Sequence, residues 1–181
     1  MSNFYTIEEL ENMGIKKIGN NVLISKKASI YSPENIKIGN NVRIDDFCIL
    51  SGNIEIGNYV HISAYVALYG KLGIKINDFC GCSARCTIYS ASDDFSGEYM
   101  ISPMVPTELT NVTGGQVVLE KYVQLGANTI VMPEVTIKEG SAVGAMSFVN
   151  KNLDEWGIFA GIPCKKIKNR KKDIIELSKK I

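Results

Sequence analysis

The residue best suited to move a proton near neutral pH is His61, the single histidine of this 181-residue chain, because an imidazole exchanges its proton in that range. It stands between Val60 and Ile62. In an extended segment those two neighbours share one side, and His61 faces the other. The functional reading is a general base for attack of an amine or hydroxyl on a thioester; an incidental surface histidine fits the same position. Cys80-x-Cys82-x3-Cys86 has the look of a metal cluster. Ser92-Asp93-Asp94 offers carboxylates that could orient an acceptor, or form a solvated turn. Lys165 and Lys168 follow Pro163. They could make charge-assisted hydrogen bonds to phosphates, or belong to a solubilising tail. Tyr89, Phe95 and Tyr99 could stack on a sugar or base, or serve the structure alone.

Net charge is +1, but it is unevenly placed: residues 165–181 carry eight basic and two acidic residues, and residues 1–164 carry twelve and seventeen. A nucleic-acid binder spreads basic charge over a recognition surface. One basic end on an acidic body instead suggests a small phosphorylated ligand. An apolar content of 45% argues against a disordered chain. No apolar run of about 18 residues is present, so no membrane span is expected. The first residues lack a basic stretch followed by an apolar one, so no signal peptide is expected. The Asn111-Val112-Thr113 sequon is then a chance match. Five cysteines, three of them crowded together, make a poor disulfide framework. A cytoplasmic location is expected.

The elements that position these residues come from a repeat. Aliphatic residues recur every six positions: Ile38, Ile44, Leu50; then Ile56, Ile62, Leu68; then Ile76, Cys82, Ile88. After an interruption come Leu119, Leu125, Val131 and Ile137, Val143, Val149, with Ile18, Ile24 and Ile30 as an earlier set. Adjacent sets lie 18 residues apart, with two-residue slips after Ile18 and Ile56. No helix of period 3.6 holds that phase. A second inward position follows four residues after each of these, as at Val42, Cys48, Val60, Thr129 and Ser147. Gly39, Gly57, Gly126 and Gly144, with the Asn residues after two of them, are expected to supply the turns. Three short strands per coil, stacked through main-chain hydrogen bonds, make an all-β parallel β-helix of triangular cross-section. Cys48, Cys80, Cys82 and Cys86 fall on inward positions and are expected as core filler, with no zinc.

We expect one domain over residues 1–181: a helical cap at 1–14, coils at 15–90 and 117–156, an excursion loop at 91–116, and a basic tail at 157–181. Thr6-x-x-Glu9 predicts a capping box, with Ile7, Leu10 and Met13 as the apolar stripe over the first coil. A second short helix is expected over 172–180, with Ile174, Ile175 and Leu177 on one side. Pro103, Pro106, Gly114 and Gly115 mark the excursion, and long loops in compact domains are usually functional. Trp156 and Phe159 are expected to pack the last coil.

The repeats IGNNVRI, IGNYVHI and LGANTIVMPEVTI resemble the hexapeptide-repeat acyltransferases over roughly residues 15–168. That resemblance implies left-handed coils, a homotrimer with sites between subunits, and acetyl-CoA as acyl donor. In the maltose and galactoside O-acetyltransferases, the histidine base follows a strand like Thr87-Ile88-Tyr89-Ser90-Ala91, and its position here holds Asp93. Either His61 has taken over, or Asp93 or Asp94 works with it, or catalysis is weak; His61 is the base expected here, with Asp93 orienting or binding the acceptor. The end of the chain is similar to the family's terminal Ala-Gly-x-Pro-x-Lys signature. Carried across, Ala127, Ala145, Asn150, Lys151, Lys165 and Lys168 match cofactor contacts, with the lysines toward phosphates and the alanines leaving room for the pantetheine arm.

His61 to Tyr65 and Ile88 to Gly97 are similar to the dTDP-4-amino-4,6-dideoxy-sugar acyltransferases of surface-polysaccharide pathways, so a nucleotide-activated or polysaccharide-bound sugar is the expected acceptor. A simple-sugar O-acetyltransferase and a non-catalytic scaffold are the alternatives. A carbonic-anhydrase-type β-helix needs several histidines, and a serine O-acetyltransferase needs a helical domain that this length does not provide.

Overall fold

The computed structural model describes residues 3–181. Its strands stack into a parallel β-helix of about seven turns, and the six-residue period becomes three interior columns. One runs Ile24, Ile44, Ile62, Cys82, Leu125, Val143, Phe159, each paired in register with the next. A second runs from Ile18 through Ile38, Ile56, Ile76 and Leu119 to Ile137. The third runs from Ile30 through Leu50, Leu68, Ile88 and Val131 to Val149. Nearly all of these side chains are buried. Each aliphatic member contributes about 1.5–3 kcal/mol by leaving water.

The slip after Ile56 has a simple shape. Gly52 pairs with Gly70 but Ile54 pairs with Ile74, so Lys71 and Leu72 are extra residues at one corner. The excursion is equally local. Cys82 pairs directly with Leu125, and the loop leaves and returns through a two-residue antiparallel ladder, Ala91–Ser92 against Thr113–Gly114.

The glycines at the coil edges do not supply the turns. The left-handed backbone falls two residues later, at Asn41, Tyr59, Phe79 and Tyr122, with φ of 55–63°. Gly39 is needed because coils touch there: a Cβ would sit 2.6 Å from the carbonyl oxygen of Gly57 on the next coil. The strained corner residues recover energy by stacking. Tyr59 on Phe79 and Phe79 on Tyr122 lie at ring-centroid distances of 5.0 and 5.2 Å. Gly140 continues this corner and lacks a side chain, so the Trp156 ring lies over it and reaches Tyr122.

Cys48, Cys80, Cys82 and Cys86 are buried, as their register demands. They are more than apolar filler. Cys80 donates to the carbonyl of Glu120 at 3.0 Å and Cys86 to that of Gly126 at 3.1 Å. In later coils Thr129 and Ser147 occupy the place equivalent to Cys86, donating at 2.7 Å to the carbonyls of Gly126 and Gly144. Burial pushes the Cys80 thiol up to about 12 and the Cys48 thiol to about 11, so neither forms a thiolate at neutral pH.

The cap helix spans Ile7–Asn12, with both capping-box bonds made between Thr6 and Glu9. Of the expected apolar stripe only Leu10 is fully buried, and Ile7 is exposed. At the other end, Gly157–Ala160 completes the last coil and Lys165–Asn169 returns antiparallel to it. Thus the coil strands run past 156 and the tail opens as a β-hairpin. Arg170 then donates to the carbonyls of Tyr122 and Gly140. The final helix, Asp173–Ser178, lies against the aromatic corner, with the Tyr122 hydroxyl 2.8 Å from Ser178 Oγ. Ile174 and Ile175 are half-buried there, and Leu177 is exposed.

Candidate active site

The face that carries His61 is an eight-stranded sheet whose last strand is antiparallel. Because each strand alternates, the residues before the buried column form one outward row. It reads Leu23, Arg43, His61, Gly81, Gln124, Ala142, Ile158 in register. Two positions along, on the same face, stand Ser25, Asp45, Ser63, Ser83, Gly126, Gly144 and Ala160. The middle of these two rows is polar and the end is small.

His61 is half exposed, and its Nε2 lies 2.8 Å from Asp45 Oδ2. The other Asp45 oxygen accepts from Arg43 Nε at 2.7 Å. Partial burial of Asp45 works against its ionisation, but the hydrogen bonds from Arg43 and His61 outweigh it and hold the carboxyl below its usual range. Asp45 is therefore an anion at neutral pH. Its neighbour Asp46 is occupied elsewhere, by Ser25 at 2.5 Å and Lys27 at 2.9 Å.

Gly81 leaves a gap beside His61, and the Gln124 side chain folds into it. Gln124 Nε2 donates to Ser83 Oγ at 3.2 Å. That leaves the Ser83 hydroxyl hydrogen available to a ligand. Together these groups line an open depression of about 460 Å³, with Tyr59 and Phe79 at its rim. A proton acceptor, a hydroxyl donor and an aromatic edge share one concavity, which is what attack on a carbonyl needs.

The remaining expected residues fall into three places. Ala127 and Ala145 stack on adjacent coils, Ala127 accepting from the Met146 amide at 2.8 Å, beside the small row Gly126, Gly144, Ala160. Lys165 pairs with Ala160 and Lys168 with Ile158, so both lysines stand at the end of the His61 face. Neither has a carboxylate within ion-pair reach among the described residues. A row of small residues that ends in lysines without an ion-pair partner among the described residues fits an extended ligand that ends in phosphates. Asn150 and Lys151 follow Val149 at a different corner, level with Tyr89 and the root of the excursion. Asp93 is exposed on the excursion and is not among the residues that line the His61 depression. Asp94 is tied into its own turn by Ser96 and Gly97.

Asp45, Arg43, Ser83 and Gln124 were not anticipated from the sequence. The register contained the signal: each lies on an outward slot of the same face as His61, one residue before or after an aliphatic column position.

Residues 35–70 match the family described as bacterial transferase hexapeptide (six repeats). The dTDP-4-amino-4,6-dideoxy-D-glucose acyltransferase of Escherichia coli is 45% identical over 172 residues, 93% of this chain and 90% of that one. A putative lipopolysaccharide biosynthesis O-acetyl transferase, WbbJ of E. coli K12, is 38% identical over 69 residues, 38% of this chain and 35% of that one. Among solved structures, AntD, an N-acyltransferase from Bacillus cereus, superposes with a TM-score of 0.95 at 54% identity, covering 99% of this chain and 96% of that one. It was crystallised with dTDP and 3-hydroxybutyryl-CoA, and a serine variant of it with dTDP-4-amino-4,6-dideoxyglucose and coenzyme A. Variants of AntD at a serine and at an aspartate, ten positions apart in that protein, were also solved with dTDP and coenzyme A. With a full-length relative at this identity and a β-helix built from the same six-residue period, this chain belongs to the hexapeptide-repeat acyltransferases.

Proposed function

We propose that this enzyme transfers an acyl group from acyl-CoA to the 4-amino group of a dTDP-linked 4-amino-4,6-dideoxy sugar. The observation that carries this reading is the near-full-length likeness to the E. coli enzyme named for that acceptor, which spans the His61 face, the excursion and the basic end together. The amine nitrogen attacks the thioester carbon, forming the C–N bond. His61 accepts the proton that the nitrogen loses, and the Ser83 hydroxyl donates toward the developing oxyanion. As the C–S bond breaks, the proton passes to the departing CoA sulfur. No protein residue is acylated. Ala127, Ala145, Lys165 and Lys168 hold the CoA substrate along the small-residue edge, with Asn150 and Lys151 as further contacts, and Asp93 binds the amine of the acceptor.

A second reading has one observation in its favour. Ser83 and Asp93 are the one Ser–Asp pair in this chain separated by ten positions, the spacing of the two AntD positions. On that reading Asp93 takes the proton and His61 is only the structural partner of Asp45.

We further propose a homotrimer in the cytoplasm, serving surface-polysaccharide synthesis. Three features support it. The depression is open within one chain. The excursion holds Phe95 and Met104 at 88% and 89% exposure, an apolar tip suited to close the site of a neighbouring copy. All five cysteines are free thiols, and among the described residues no helix is long and apolar enough to cross a membrane. The pathway rests on the partial likeness to WbbJ.

The deciding assay follows CoA release with a panel of nucleotide amino sugars and simple glycosides. We expect turnover with the dTDP-4-amino sugar and none with thiogalactoside; the opposite pattern refutes the acceptor assignment. The lysine assignment is tested separately. Lys165→Ala with Lys168→Ala weakens CoA binding about tenfold at low salt, and the gap to the unmodified protein narrows as salt screens the charges. Equal CoA affinity measured calorimetrically would remove these lysines from the phosphate site.

A further inference from the structure

We propose that Asp45 is a positioning residue that keeps the His61 proton on Nε2 and so leaves Nδ1 as the basic nitrogen. The inference rests on His61 being the base. It starts from hydrogen-bond chemistry. An ionised carboxylate can only accept. Asp45 spends one oxygen on the Arg43 Nε–H at 2.7 Å, a group that can only donate. Its other oxygen lies 2.8 Å from His61 Nε2. That nitrogen must therefore carry the hydrogen, and the lone pair falls to Nδ1.

The three residues are held by the solenoid and not by one another alone. Arg43 and His61 are register partners on adjacent coils. Asp45 lies two residues beyond Arg43, on the same face, and its amide donates to the carbonyl of Ile62 at 2.9 Å. The Arg43 guanidinium also sits 5.6 Å from the centroid of the Phe4 ring, where the N-terminal segment bridges to Ser25. Arg43 is thereby kept in place to hold Asp45. As Nδ1 gains a proton in the reaction, the fixed carboxylate still accepts from Nε2–H and keeps the ring in place.

The arrangement makes an unusual demand on Asp45→Asn, which is nearly isosteric. Arg43 still needs an acceptor, so the amide oxygen stays on Arg43 and the amide NH₂ turns to His61. Nε2 must then accept, and the proton moves to Nδ1. The substitution inverts the tautomer instead of merely loosening the ring. Since the chain has one histidine, a long-range ¹⁵N–¹H spectrum of labelled protein shows one imidazole and reads this directly.

We expect the Nε2–H tautomer in the unmodified protein, the Nδ1–H tautomer in Asp45→Asn, and a mixture in Asp45→Ala. In the same variants kcat falls about 10–100-fold with KM for acyl-CoA unchanged, and Asn is the more damaging. An unmodified protein with Nδ1 protonated, or an Asp45→Asn spectrum without inversion, overturns the proposal. So does full turnover in Asp45→Asn when His61→Ala is inactive. If His61→Ala is itself fully active, the base assignment fails, while the spectra still decide whether Asp45 sets the tautomer.

Discussion

His61→Ala lowers the rate of acyl transfer by about 10²–10⁴-fold, the usual contribution of a positioned general base, with acyl-CoA affinity held within about twofold. On the proposed mechanism the loss falls on kcat, because His61 would meet the proton only as the C–N bond forms. On the proposed reading the phosphates are held elsewhere, by Lys165 and Lys168 on the hairpin strand. Stability should hardly change, since the side chain is half exposed and its removal opens no interior space. The informative partner is Asp93→Asn. If Asp93 binds the amine, this variant raises the KM for the sugar and keeps much of kcat. If Asp93 is the base, the roles exchange: Asp93→Asn loses kcat and His61→Ala keeps it. Retained turnover in His61→Ala removes the histidine from the chemistry.

The contrast between these two residues follows from where the fold puts them. His61 stands on a strand whose neighbours on both sides are fixed by the stack, so its partner Asp45 is a consequence of the coil register. Asp93 sits on the exposed excursion, outside the residues lining the depression of its own chain. A residue of that kind acts where it meets a ligand or another copy. The two candidate proton acceptors thus contrast a site built on the solenoid wall with one completed by the loop.

The coil was readable because its signal is redundant: three columns repeat the same demand, and one polar interruption cannot hide it. Cys82 illustrates the strength of register over residue type. Its spacing with Cys80 and Cys86 suggests a metal ligand, yet it pairs with Ile62 below and Leu125 above and is buried. The turns were misread for a physical reason. Glycine suggests a positive φ, but Gly39 is small because Gly57 lies against it, and the left-handed corner is taken by Asn41. Close approach between coils is a tertiary fact and leaves no local mark. The tail was misread in the same way. Nothing local says that Lys165–Asn169 will pair antiparallel with Gly157–Ala160. Asp45 escaped notice because it lies 16 residues from its partner in sequence, though one coil away in space.

The same redundancy makes the interior unforgiving at its centre, where Ile44→Ala should unfold the protein far more readily than any surface change near the site. Ile44 is fully buried between Ile24 and Ile62 in its column. Truncation removes three carbons from a position that hydrogen bonds on both neighbouring coils hold in register: Ser25 donates to the Ile44 carbonyl, and Asp45 to that of Ile62, both at 2.9 Å. With the coil spacing set by those bonds, the wall cannot collapse to fill the space, so the cost approaches the upper part of the usual range of about 2–5 kcal/mol. Stability in a solenoid is a sum of coils and nearest-neighbour interfaces. One weakened interface here separates the capped first coil from the rest. For a chain of this size about 2–5 kcal/mol corresponds to a fall in Tm of about 4–20 °C. Ile44→Val costs only about 0.5–1.5 kcal/mol and separates volume loss from changed strand preference. The fall is read by thermal unfolding at fixed protein concentration, because assembly would otherwise shift the midpoint. An Ile44→Ala midpoint equal to that of Ile44→Val would mean that the coil relaxes into the gap, and that main-chain stacking does not set the spacing. Such relaxation would also move Asp45, one residue away, from His61. Loss of kcat in a fully folded Ile44→Ala protein would then trace to the dyad.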